Sequence, residues 1–163
     1  MKKTVTISFF WVLLCNSALL MAQTEPESIV PETDKFQDYF YESLKQKGIE
    51  NYDRAITALE FCLKLKPNDA TVFSEMGKNY FGQKNYEQSY SYYEKATQID
   101  PKNKWFCAGM YEVSYKTKNY NQAIISVNKL IEFNDSYKED LVLLYMYTQQ
   151  FDKALVLIDE LNE

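Results

Sequence analysis

Histidine is absent from all 163 residues. That removes the usual general base and the commonest metal ligand, and with them any Ser-His-Asp or Cys-His pair. No glycine-rich phosphate loop and no Cys-x-x-Cys pair occurs. The paired acids Glu25/Glu27, Glu139/Asp140 and Asp159/Glu160 stand in no loop with cation-binding spacing. They read as leader charge and solvated helix faces. The expectation is a chain without enzymatic activity, metal or cofactor. Basic residues are the minority, 18 against 23 acids, for a net charge of −5. An acidic domain repels nucleic acid over long range, so no nucleic-acid partner is expected. Glycine and proline are scarce, four of each, as in helices joined by short turns.

What is present begins with a basic start, Lys2-Lys3, ahead of an apolar stretch from Val5 to Leu14 that resumes from Ala18 to Ala22. This reads as a secretory signal peptide over 1–22, cleaved before Gln23. The location expected is therefore exported, periplasmic or secreted, with a two-lysine start that suits a bacterial exporter. No membrane span should remain after cleavage. Cleavage removes Lys2 and Lys3 and no acid, moving the net charge from −5 to −7. Residues 23–33 hold two prolines and three acids and read as a flexible acidic leader. Cys62 and Cys107 survive cleavage. Their repeat positions keep them apart, so two buried free thiols are expected rather than a disulfide.

The rest of the chain says one phrase four times. Asn51-Tyr52-Asp53-Arg54-Ala55 returns as Asn85-Tyr86-Glu87-Gln88-Ser89, as Asn119-Tyr120-Asn121-Gln122-Ala123 and as Gln150-Phe151-Asp152-Lys153-Ala154. The aromatic residue recurs at spacings of 34, 34 and 31. A fixed period of this length in a helical sequence marks stacked repeats. The clearest copy spans 70–103. Phe73, Met76, Gly77 and Tyr80 mark one helical face, and Ser89, Tyr93, Ala96 and Ile99 mark another. Asp69 is placed to cap the first helix and Pro101 to end the second. Gly77, Ser89 and Ala96 are small where two backbones must approach.

These residues resemble the tetratricopeptide repeat, a helix–turn–helix unit. The resemblance implies an all-α fold, a right-handed superhelix of about four antiparallel helix pairs over 34–163. The repeats fall at about 34–69, 70–103, 104–134 and 135–163. Repeat one is expected to carry about two extra residues in its turn, at Ile49-Glu50. Repeat three places Tyr111 where a small residue belongs and lacks a closing proline. A slightly opened pair and a shortened connection are expected there.

By the same resemblance, the first helix of each pair lines a concave groove. Its expected lining is Thr71, Ser74, Lys78, Phe81 and Gly82 in repeat two. Repeat three adds Trp105, Ala108, Glu112, Tyr115 and Lys116, and repeat four adds Ser136, Glu139, Leu143, Met146 and Tyr147. Such a groove suits an extended or helical peptide with apolar side chains. The carboxylate clamp of some family members is not expected, because its places hold Asp38, Glu42, Glu75, Trp105 and Gly109. Leu155, Val156 and Leu157 give the last helix more apolar surface than one partner covers. They form a candidate docking edge, with a homodimer as one use. Two functions follow as expectations: an envelope adaptor that binds a protein or peptide in its groove, or a structural subunit of an envelope or secretion assembly held by its edges.

Overall fold

The structure, a computed structural model, describes residues 32–162. The expected signal peptide and nearly all of the expected acidic leader lie outside the described residues. The described residues form eight α-helices: α1 (Glu32–Gly48), α2 (Tyr52–Leu65), α3 (Ala70–Gly82), α4 (Tyr86–Ile99), α5 (Lys104–Lys116), α6 (Tyr120–Ile131), α7 (Tyr137–Tyr147) and α8 (Phe151–Leu161). They pack as four consecutive pairs, and each second helix also packs on the first helix of the next pair.

The repeated phrase is the turn inside each pair. In α3–α4 the Lys84 amide donates to the Phe81 carbonyl and the Asn85 amide to the Tyr80 carbonyl, both at 2.9 Å. These two bonds close the first helix in a Schellman motif, whose pivot residue must be left-handed. The pivots are Glu50, Lys84, Lys118 and Gln149, with φ between 58° and 61°. The next residue then starts the second helix. The Asn85 side chain accepts from the Gln88 amide and the Asn119 side chain from the Gln122 amide, each at 3.3 Å. One asparagine thus closes one helix and opens another.

Two expectations about the connections are corrected. Repeat one has no extra residues in its turn: three residues separate α1 from α2, as they separate α3 from α4. Its added length lies in α1, 17 residues against 13 in α3. The 31-residue spacing likewise does not come from a shortened connection. The link from α6 to α7 is one residue longer than that from α4 to α5. The helices themselves are shorter: α6 has 12 residues and α7 has 11, where α4 has 14 and α5 has 13.

The core lies between pairs. Ile56, Leu59 and Cys62 of α2 meet Val72 and Met76 of α3. Tyr93 of α4 meets Met110 and Val113 of α5. Ala123 and Val127 of α6 meet Leu141 and Leu144 of α7. Each unit therefore completes its core only with a neighbour, as a solenoid requires. Tyr111, at its small-residue place, is half-buried against the third of these clusters. Asp69 caps α3 as expected, accepting from the Thr71 and Val72 amides at 2.9 and 3.1 Å. Cys62 and Cys107 are buried and unpaired. Burial, with Asp69 nearby, pushes the Cys62 thiol up to about 11, and burial also raises Cys107. Neither is a ready nucleophile.

The expected close approach is real. The Ser89 hydroxyl donates to the Gly77 carbonyl at 2.8 Å, pinning α4 to α3. The Tyr93 ring then lies against two bare backbones. A methyl group on Gly77 would sit 3.0 Å from the ring, and one on Gly109 would run into it outright.

Two stability predictions result. Lys84→Gly relieves a left-handed residue and should stabilise the chain by about 0.5–1 kcal/mol, whereas Lys84→Val should destabilise it. Urea unfolding reads both, and a Val variant as stable as the Gly variant would contradict the turn. Gly109→Ala should cost about 1–3 kcal/mol, because the buried Tyr93 ring has no free space to enter. An unchanged urea midpoint would show that the ring gives way.

Candidate functional site

The first helices α3, α5 and α7, with Ser136 just ahead of α7, carry the expected groove residues. Thr71, Lys78, Trp105, Glu112, Tyr115, Lys116, Leu143, Met146 and Tyr147 are all exposed. Trp105 stands out at 69% exposure, with the Lys104 ammonium 4.9 Å from its ring centre. Ser136 and Glu139 are exposed, and Gly82 and Ala108 are half-buried. Two residues depart from the expectation. Ser74 is buried at 4% exposure, so it does not present its hydroxyl to a ligand. Phe81 is half-buried, edge-on to Tyr86, and packs on the cluster of Tyr93, Met110 and Val113. Substituting Phe81 would disturb the core as much as any surface.

The aromatic residues gather where α5, α6 and α7 meet. Tyr115 lies 6.1 Å from Tyr120 and 6.4 Å from Tyr147, edge-on to both. Tyr120 and Tyr147 stack at 4.7 Å, and Tyr111 adjoins Tyr115 at 5.9 Å. Tyr120 was legible only as the aromatic of the repeated phrase; its contact with Tyr147 spans two repeats and has no local signal. Partnership with the Tyr147 hydroxyl raises the Tyr115 phenol, and burial and then the Asp140 carboxylate raise that of Tyr111. Both stay protonated at neutral pH, with the Tyr111 hydroxyl partnered by Asp140 and the Tyr115 hydroxyl by Tyr147. With Leu143 and Met146 alongside, the patch is apolar with polar tips, the composition of a binding anchor.

The other half of this face is electrostatic. Glu75 of α3 is buried, with Lys47 of α1 at 2.5 Å and Lys78 at 2.6 Å. Burial alone would raise its carboxyl; the hydrogen bonds and charges of the two lysines more than offset this, and the net shift is downward. The pair ties the first helices of two successive repeats together. It also occupies Glu75, one of the clamp places, with bonds inside the chain. Among the described residues no group of three His, Cys, Asp or Glu side chains is placed to hold a metal ion. No described helix is long and apolar enough to cross a membrane.

Comparison with known proteins fits this geometry. Residues 70–103 match the family model of the tetratricopeptide repeat. Human tetratricopeptide repeat protein 21B is 37% identical over 71 residues, 44% of this chain; the match spans 5% of that protein. MamA from Desulfovibrio magneticus RS-1 superposes with a TM-score of 0.69 at 18% identity, over 77% of this chain and 73% of its own. The TPR2B domain of yeast Sti1, in complex with pHsp70, superposes with a TM-score of 0.60 at 18% identity, over 71% of this chain and 97% of its own. Residues 70–103 carry a tetratricopeptide repeat, and the described residues share the all-α solenoid fold of the tetratricopeptide-repeat proteins they superpose on.

The Glu75 bridge has a pH signature. Its folded carboxyl titrates below the unfolded value, so its contribution is present above the unfolded glutamate range and is lost as pH falls through the folded one. Glu75→Gln should cost roughly 1–3 kcal/mol at pH 7 and progressively less on acidification. Urea melts across pH 3–7 check this; a cost that does not vary with pH would mean that the lysines do not stabilise the charge.

Proposed function

We propose that this chain is a non-enzymatic interaction module of the cell envelope, taking a protein or peptide partner along its first-helix face. The observation that carries the reading is the run of exposed aromatic and apolar side chains on successive first helices, from Trp105 through Tyr115 to Leu143, Met146 and Tyr147. Large rings held by a packed scaffold bury much area at little entropic cost, which is how hot spots work. The ligand class is an extended or helical peptide with apolar side chains. The Sti1 domain, similar in fold, was solved with a bound partner, which supports the class of function and not the partner. The envelope location rests on the basic start and apolar stretch of residues 1–22. The absence of histidine supports the non-enzymatic reading.

The second reading is a structural subunit held by its ends. It is favoured by one observation, the exposure of Phe151 and Leu155 on the last helix. One experiment separates the two. In-cell cross-linking capture is run with the native chain and with a Trp105→Ala/Tyr147→Ala variant shown by circular dichroism to stay helical. Both residues are exposed, so the variant should remain folded. A groove binder loses its partner in the variant by at least about tenfold, the scale of one hot-spot ring. Equal capture by both chains would leave the ends as the functional surface and overturn the groove.

A further inference from the structure

The register of the repeats shows which face of α8 is unfinished. In α4 the residues that meet the next first helix are Tyr86, Tyr90, Tyr93 and Thr97: three pack in the Met110–Val113 cluster, and the Thr97 hydroxyl reaches the Met110 sulfur at 3.4 Å. The matching residues of α6, including Tyr120, Ile124 and Val127, pack on α7. In α8 the same places hold Phe151, Leu155, Ile158 and Asn162. Phe151 and Leu155 are 51% and 60% exposed, and no described element covers them. Beside them Ile158 and Leu161 face Val142 and Leu143 of α7 across a depression of about 340 Å³. This is the seat that a further first helix would fill. Leu155, Val156 and Leu157 do not make up the edge together, since successive helical residues turn about 100° apart. Leu155 is on the seat, Val156 is at the place of the exposed Ile125 on the outer surface, and Leu157 packs inward against the α6–α7 cluster.

The charge around the seat selects its occupant. Asp152 and Asp159 flank the Phe151–Leu155–Ile158 face one turn-step to its side, and Glu139 lines the depression. The nearest base on α8, Lys153, is directed away, bonded to Gln150 at 2.8 Å and lying over the Tyr145 ring. In repeat one the counterpart of Asp152 is Asp53, and it accepts from Gln83 at the end of the covering helix, at 2.6 Å. Rim acids at this place therefore meet the covering element. A second copy supplies the wrong charge. Its α8 would bring Asp152 and Asp159 again, and its α1 has Asp38 and Glu42, both exposed, where α3 has the buried Val72 and Met76.

We propose that the α7–α8 end of the stack is a docking seat for an amphipathic partner helix with an apolar face and basic flanks. The helix lies as α7 lies on α6, its apolar face over Phe151, Leu155 and Ile158 and its cations against Glu139, Asp152 and Asp159.

The probe is a labelled peptide with the sequence of residues 134–149, the chain's own covering helix, carrying Glu139→Lys, Asp140→Lys and Thr148→Lys. The native acidic sequence is the control. Fluorescence anisotropy with the whole chain should show the basic peptide binding at least about tenfold more tightly, with an affinity that falls as salt rises. Leu155→Asp in the chain should abolish binding. Asp152→Lys/Asp159→Lys should reverse the preference between the two peptides, and circular dichroism confirms that each variant is helical. The Trp105→Ala/Tyr147→Ala chain should bind the basic peptide as the native chain does, separating the seat from the first-helix face. Equal binding of both peptides, or binding that survives Leu155→Asp, overturns the proposal. So does sedimentation showing that the chain self-associates through this face and excludes the peptide.

Discussion

The Tyr93 ring, pressed between the backbones of Gly77 and Gly109, is the contact on which the middle of the stack depends. It belongs to α4, and it sets how closely α4 approaches both its own pair partner and the first helix of the next pair. Two residues without side chains make room for it. The Ser89 hydroxyl on the Gly77 carbonyl fixes the same approach from one turn away. Burial holds the Tyr93 phenol protonated, so the ring is a fixed neutral spacer rather than a titrating group. Everything that faces a ligand on α5 inherits its position from this spacing, Trp105 and Tyr115 included.

The stack then uses two kinds of joint. Between second helices and the following first helices the joint is mainly apolar, as in Leu59–Met76 or Val127–Leu144, with Thr97–Met110 and Asp53–Gln83 as isolated polar contacts. Between successive first helices, the Lys47–Glu75–Lys78 bridge adds a charged joint at one end of the molecule. At the other end the first helices meet through tyrosine rings instead. The first-helix face thus carries an internally paired charge near α1 and α3, and a cluster of tyrosine rings near α5 and α7. Direct contact with a partner gains most where rings remain uncovered, which places the candidate anchors in the second half of the chain.

Much of this was legible in the residues. The 34-residue period, the helix pairs, the Asp69 cap, the small-residue contact and the two buried thiols all have local causes that a sequence displays. Ser74 and Phe81 went astray because a register place tells which way a residue points and not how tightly the next helix closes over it. The turn of repeat one was misjudged because α1 is longer at its start. Counting from the front of the helix shifted the register, whereas counting from the left-handed pivots Glu50, Lys84 and Lys118 gives equal spacing. The tyrosine cluster was invisible because it joins residues from three helices. Leu155, Val156 and Leu157 looked like one edge because they are neighbours in the chain, and helical geometry sends them in three directions.

The uncovered face of α8 also bears on how the molecule comes apart. In a quasi-one-dimensional stack each pair is held by its neighbours, and among the described residues α7–α8 packs on a neighbour at one side only. The α7–α8 pair is short as well, 11 residues in each helix. With one neighbour and short helices, this pair should open locally before the middle of the stack loosens and expose its backbone to proteases. A helix on that face would bury Phe151 and Leu155 and hold the α7–α8 pair shut. An element seated on that face would raise the free energy of this opening in proportion to how tightly it binds.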